Sequence, residues 1–183
     1  MYQFKYTLND NDYFEFNKYH LSNAPVNKKG LIVLRIMIPV IYILFLLLSL
    51  IDVENFNEYV FIGQAVVCII VSLAWFFLVK PLYTFLLKIN IKLMKKYGKL
   101  PYGKDVLICF DEEFLIETTE KSESKIKYTS IERIVGANSA IYIYLNAVQA
   151  VIVPLSAFES EKIRDDFWDF IHYKWNAAKE LTS

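Results

Sequence analysis

Residues that usually carry chemistry are scarce in this 183-residue chain, which has two histidines, two cysteines and five glycines. Nucleophilic catalysis needs a nucleophile, a base and an orienting group within reach of one another. His20 falls in an N-terminal helical segment and His172 in an aromatic stretch near the end, and both read as packing or surface residues. Cys68 lies in an apolar run and Cys109 in a strand pattern, which gives no route to a shared disulfide or a metal site. The few glycines build no phosphate-cradling loop. Asp165, Asp166 and Asp169 lack complementary ligands and read as a solvated helix face. No catalytic, cofactor-binding or metal-ligating residue is assigned, and the expectation is a protein that is not an enzyme.

Charge is nearly missing from two long stretches. Leu31–Ile51 and Tyr59–Val79 are each 21 residues long, and the second carries no charge at all. At ~1.5 Å per residue each run matches the ~30 Å hydrocarbon core of a bilayer. Soluble core helices rarely run so far without a charge. The first run begins too far into the chain, and is too long, for a cleaved signal. The expectation is a transmembrane hairpin over 31–79. Arg35 sits four residues inside the first run and reads as an interfacial anchor whose stem snorkels to the headgroups, rather than a gating residue. Pro39 is tolerated in a membrane helix.

Basic residues are absent from the connection between the runs, which holds Asp52, Glu54 and Glu58. They gather on the other side, as Lys28 and Lys29 before the first run and Lys80, Lys88, Lys92, Lys95, Lys96 and Lys99 after the second. The formal net charge of zero hides this asymmetry. Positive charge stays on the cytoplasmic side, so the chain is expected in the cell membrane with both termini cytoplasmic. The membrane-surface candidates are Lys28, Lys29, Arg35, Lys80, Lys88, Lys92, Lys95 and Lys96. Over 80–101, Leu82, Phe85, Leu86, Ile89 and Leu93 recur at helical spacing with lysines on the other face. This basic juxtamembrane helix either lies on anionic lipid or extends the second span, and ends at Gly98 and Pro101. Lysines crowding the membrane boundary suit lipid rather than nucleic acid.

Residues 1–30 open with Tyr2–Leu8, alternating apolar and polar as a strand does, followed by turn and capping residues over 9–12. A short amphipathic helix over Tyr13–Leu21 follows, broken by Ala24-Pro25 and Gly30. A lone strand is unstable, so this one is expected to pair with the strands after the hairpin. Residues 102–183 show short strand patterns at 106–110, 114–119, 125–128, near 131–136, 141–145 and 150–153, which argue an antiparallel meander of about five strands. Ser156 and Glu159 form an S-x-x-E capping box before a final helix whose apolar stripe is Ile163, Phe167, Phe170, Ile171, Trp175 and Ala178. The fold class is therefore α+β, a two-helix hairpin plus a small antiparallel β domain capped by a C-terminal helix.

Phe4–Leu8, the two spans, Lys127-Tyr-Thr-Ser-Ile-Glu-Arg-Ile134, Ile141–Leu145, Ile152–Phe158 and the closing helix, taken in order, resemble the YcxB-like membrane proteins of bacteria. The resemblance implies a C-terminal β-sandwich or barrel like the pleckstrin-homology fold, and no particular reaction. Tyr128 stands where that family often has Trp, and Leu155 where it often has a basic residue. The expected role is a membrane-tethered cytoplasmic module that binds an unidentified protein or lipid partner. Tyr142 and Tyr144 are the candidate partner surface if they face outward; otherwise they pack on the N-terminal strand and helix. Sheet-edge addition is one way such a domain binds. Immunity to a bacteriocin or toxin is the alternative, and a channel built on Gln64 and Arg35 a more distant one. Gly63, Ala65 and Cys68 would allow close helix approach in a homodimer.

Overall fold

The computed structural model describes residues 1–23, 25–51, 57–98, 102–120 and 122–180, with only the backbone described for 25–28. Asp52 and Glu54 of the acidic connection, Ala24, Lys99 and Pro101 lie outside the described residues. The chain is α+β and divides into two compact units, Met1–His20 with Ile91–Ser183, and Leu21–Asn90.

In the first unit, β1 (Tyr2–Thr7) forms the edge of a four-stranded antiparallel sheet with β2 (Asp105–Phe110), β3 (Phe114–Thr119) and β4 (Glu123–Lys127). Alternation sets the register: Phe4 pairs with Ile108 and Tyr6 with Val106, so the apolar half of each strand shares one buried face. The turn predicted at 111–113 is present, closed by Asp111 N–H donating to the Phe114 carbonyl at 2.9 Å. A second sheet holds β5 (Arg133–Gly136), β6 (Ala140–Tyr144) and β7 (Ala150–Pro154). The single meander expected from the strand spacing is thus two sheets. A one-turn 3-10 helix at Tyr128–Ser130 interrupts pairing between β4 and β5. The Tyr6 hydroxyl ties the sheets together by donating to the Ile152 carbonyl at 2.8 Å.

Two helices flank the strands of this unit. α1 (Asp10–Asn23) is longer than the expected 13–21 because its cap lies further upstream. The Asn9 side chain accepts the N–H groups of Asn11 and Asp12, and the Asp12 carboxylate accepts the Asn9 N–H at 3.0 Å. This reciprocal arrangement satisfies donors that the first turn leaves orphaned. The last helix, numbered α4 in chain order, spans Glu161–Glu180. It touches both sheets: Phe167 meets Phe110 and Phe4 at ring separations of 4.7 and 5.1 Å, and Trp168 lies against Gly136. A Cβ at Gly136 would come within 3.2 Å of that indole, so the glycine permits the close approach.

The second unit contains α2 (Pro25–Ser49) and most of α3 (Glu58–Lys96). Gly30 lies inside α2, so it is not the break that the sequence suggested, and α3 continues through Pro81. At 39 residues α3 is about 58 Å long. It stops where Gly98 takes the left-handed conformation, φ +66°, which favours glycine. Both helices are long and apolar enough to cross a membrane.

The capping box expected at Ser156 and Glu159 does not form. Ser156 lies in a 3-10 turn (Leu155–Ala157), and Ser160 caps α4 by accepting the Ile163 N–H at 3.3 Å. Ser160→Ala is expected to cost about 1 kcal/mol of stability, while Ser156→Ala stays within ~0.5 kcal/mol, as checked by denaturant unfolding of the first unit within the intact protein.

Candidate functional site

Tyr142 and Tyr144 are buried at 1% and 0% exposure, so the partner surface conceived for them is not available. Their face of β6 is covered by α1. Phe16 and Tyr19 each lie 5.3 Å from Tyr142, and His20 stacks on Tyr144 at 5.9 Å. The physical reason is that both faces of β6 are apolar: Ile141 and Ile143 line the side met by β7 partners Val153 and Val151, and the tyrosines need a second cover. The alternative reading, in which these tyrosines pack on the N-terminal helix, describes them correctly.

Beneath α1 this cover forms a cluster that the sequence did not signal. The Arg133 guanidinium sits 4.0 Å over the Tyr144 ring, and the Tyr144 hydroxyl lies 3.5 Å from His20 Nδ1. Burial and the nearby Arg133 charge hold the His20 pKa below its ordinary value, so the imidazole is neutral near pH 7. Burial also raises the Tyr144 hydroxyl to about 12. On β3, Glu117 shares the inward face of Leu115, and burial raises its carboxyl above the usual range.

The basic candidates have different fates. Lys29, Lys80, Lys92 and Lys96 are exposed along α2 and α3, as is Lys88; the Lys28 side chain lies outside the described residues. Lys95 is held at 2.7 Å by Asp10, whose other carboxylate oxygen accepts the Tyr102 hydroxyl at 2.8 Å. These two bonds keep the Asp10 carboxyl below its ordinary pKa and fasten the last turn of α3 to the start of α1. Within the second unit Arg35 is half-buried, its guanidinium 4.6 Å over the Phe76 ring and its Nε without a hydrogen-bond partner among the described residues. Beside it, the Trp75 indole donates to the Leu34 carbonyl at 2.9 Å.

One concave surface of the first unit borders an open sheet edge. A groove of about 300 Å³ lies between β5 and α4, lined by Gly136, Ala137, Ile141, Leu155 and Trp168. Among the described residues β5 pairs only with β6, and no described strand lies on its other edge. Arg164 at the rim is neutralised by Asp165 at 2.9 Å and by Glu161 at 3.8 Å, leaving the rim with acidic excess. Among the described residues no group of three or more His, Cys, Asp or Glu is placed to hold a metal ion.

Because the folded pKa of His20 is lowered, its unfavourable charging begins as pH falls below the unfolded value near 6.5. The denaturation midpoint is expected to fall between pH 7.5 and 5.5, and His20→Gln to flatten that fall relative to the parent chain.

No curated protein and no solved structure gives a significant match to the chain. Residues 110–171, from the end of β2 into α4, match the model of the YcxB-like protein family, so the resemblance read from the sequence holds over that stretch.

Proposed function

We propose that this protein is a membrane-tethered interaction module: α2 and α3 insert as a hairpin, and the β unit recognises an extended segment of a protein partner. The observation that carries insertion is the exposure of the apolar helices. In their most apolar windows 0% of α2 and 11% of α3 is buried, and Val33, Phe45 and Phe77 are each at least two-thirds exposed. The core helix of a soluble protein would be mostly covered. Leaving each such side chain in water forgoes about 1.5–3 kcal/mol, which hydrocarbon supplies. Lys29 and Arg35 at one end of α2, and Lys80 onward in α3, favour a topology with both termini cytoplasmic in the cell membrane. About 20 residues of α3 suffice to span; the remainder, with its lysines, reads as an extension of the same helix into the cytoplasm.

Two sheets of four and three strands with a C-terminal helix against both support a pleckstrin-homology-like architecture. The binding reading rests on the unpaired β5 edge beside the groove. An extended segment adds hydrogen bonds along such an edge while one apolar side chain enters the pocket, and the acidic rim favours a partner that is basic there. Nothing in this arrangement requires a catalytic step, and the reading is of a binding protein rather than an enzyme.

The protein is expected to resist alkaline carbonate extraction from its membranes and, after in-cell crosslinking, to copurify with a stoichiometric partner. Asp165→Lys, at an exposed rim position, should lower that recovery about fivefold, in keeping with ~1 kcal/mol for one rim charge. Recovery of self-crosslinked protein alone, or a partner indifferent to Asp165→Lys, counts against the module.

A further inference from the structure

The second unit carries a groove of about 580 Å³ between α2 and α3, lined by Tyr42, Phe45, Ser49, Gly63, Gln64 and Val67. Its lining is apolar apart from a few groups, and one of these is unsatisfied. The Ser49 hydroxyl donates to the Leu46 carbonyl at 2.7 Å within its own helix. Gln64 is exposed, and its amide has no hydrogen-bond partner among the described residues. Gln64 is the sixth residue of the uncharged run that begins at Tyr59, so it lies about 8 Å along the axis from the run's start, beyond easy reach of headgroups. Hydrocarbon offers no hydrogen bonds, so an amide facing it must find another protein group.

We propose that this groove is the self-association surface of the protein, and that Gln64 pairs with Gln64 of a second copy. The proposal rests on the membrane-inserted reading given above. Two general constraints and one observation single out a second copy as the occupant. Copies inserted with one topology are related by a two-fold axis along the membrane normal, so a residue on the interface meets its own equivalent at the same depth. An amide carries both donor and acceptor, and is therefore complementary to itself across such an axis. Finally, Gly63 adjoins Gln64 and a Cβ built there meets nothing within 4 Å, which leaves room for a neighbouring helix to approach. Side-chain amides are established glue between membrane helices. An acyl chain would fill the apolar part of the groove and leave the amide unpaired.

The experiment uses the full chain in vesicles of phosphatidylcholine and phosphatidylglycerol. Cys68 and Cys109 are replaced by Ala and Ser, and Val67→Cys supplies a single thiol on the groove face. Oxidation is expected to give a disulfide dimer whose yield falls on dilution into lipid. Gln64→Leu should reduce the yield about tenfold, the order of one interhelical hydrogen-bonded pair, and Gln64→Asn should restore much of it. Gly63→Leu, which the open space around Gly63 accommodates within the hairpin, should also abolish the crosslink. Undiminished crosslinking of Gln64→Leu overturns the proposal. Absence of a crosslink in protein that resists carbonate extraction overturns it while leaving the membrane reading intact; protein released by carbonate overturns both.

Discussion

The β unit depends on one strand that is buried on both sides. Every residue of β6, from Ala140 to Tyr144, is buried. On one face Ile141 and Ile143 align with Val153 and Val151 of β7 and with Gly136 and Ile134 of β5. On the other, Tyr142 and Tyr144 present aromatic surface that water would solvate poorly and that another element must cover. Burying a large apolar side chain is worth about 1.5–3 kcal/mol, so the cover is energetically substantial. α1 supplies it through Phe16, Tyr19 and His20. The first twenty residues are therefore part of the β unit's core, though seventy residues of hairpin separate them from its other strands.

That cover constrains the electrostatics beneath it. Arg133 already places a positive charge over the Tyr144 ring, which tolerates it because the ring face is electron-rich. A second cation at His20 would be desolvated and would face Arg133, so the imidazole stays neutral. The tyrosine hydroxyls keep polar company at the margin, Tyr142 with Ser139 at 3.4 Å and Tyr144 with His20. At the other end of α1, Asp10 is paired with Lys95 and Tyr102, and this helix is secured at both ends by groups remote in sequence.

Much of the local structure was legible because it follows from short-range periodicity. β3 occupies the predicted residues 114–119, and β2, β6 and β7 match their patterns to within a residue. The final helix was legible from Phe167 and Ile171 at i and i+4, both of which are buried. Caps were read less well: Asn9–Asp12 fits the expected turn, but Ser160 replaced Ser156 because the chain first makes a 3-10 turn after Pro154. The candidate binding surface was not legible. Tyr142 and Tyr144 alternate with isoleucines as outward residues of a half-exposed strand would, and alternation does not report whether a helix will cover the second face.

The sequence by itself determined the α+β class, the positions of most strands, the two long apolar helices and the segregation of lysines to one side of them, because composition and period act within a few turns of chain. Only the tertiary structure decided that the strands divide into two sheets, that α1 covers β6, that Lys95 is spent on Asp10, and that the open groove lies at Gly136 and Trp168. Each of these turns on contacts between residues far apart in the chain. Such contacts are selected by the need to bury a face and satisfy its polar groups, and no local pattern records them.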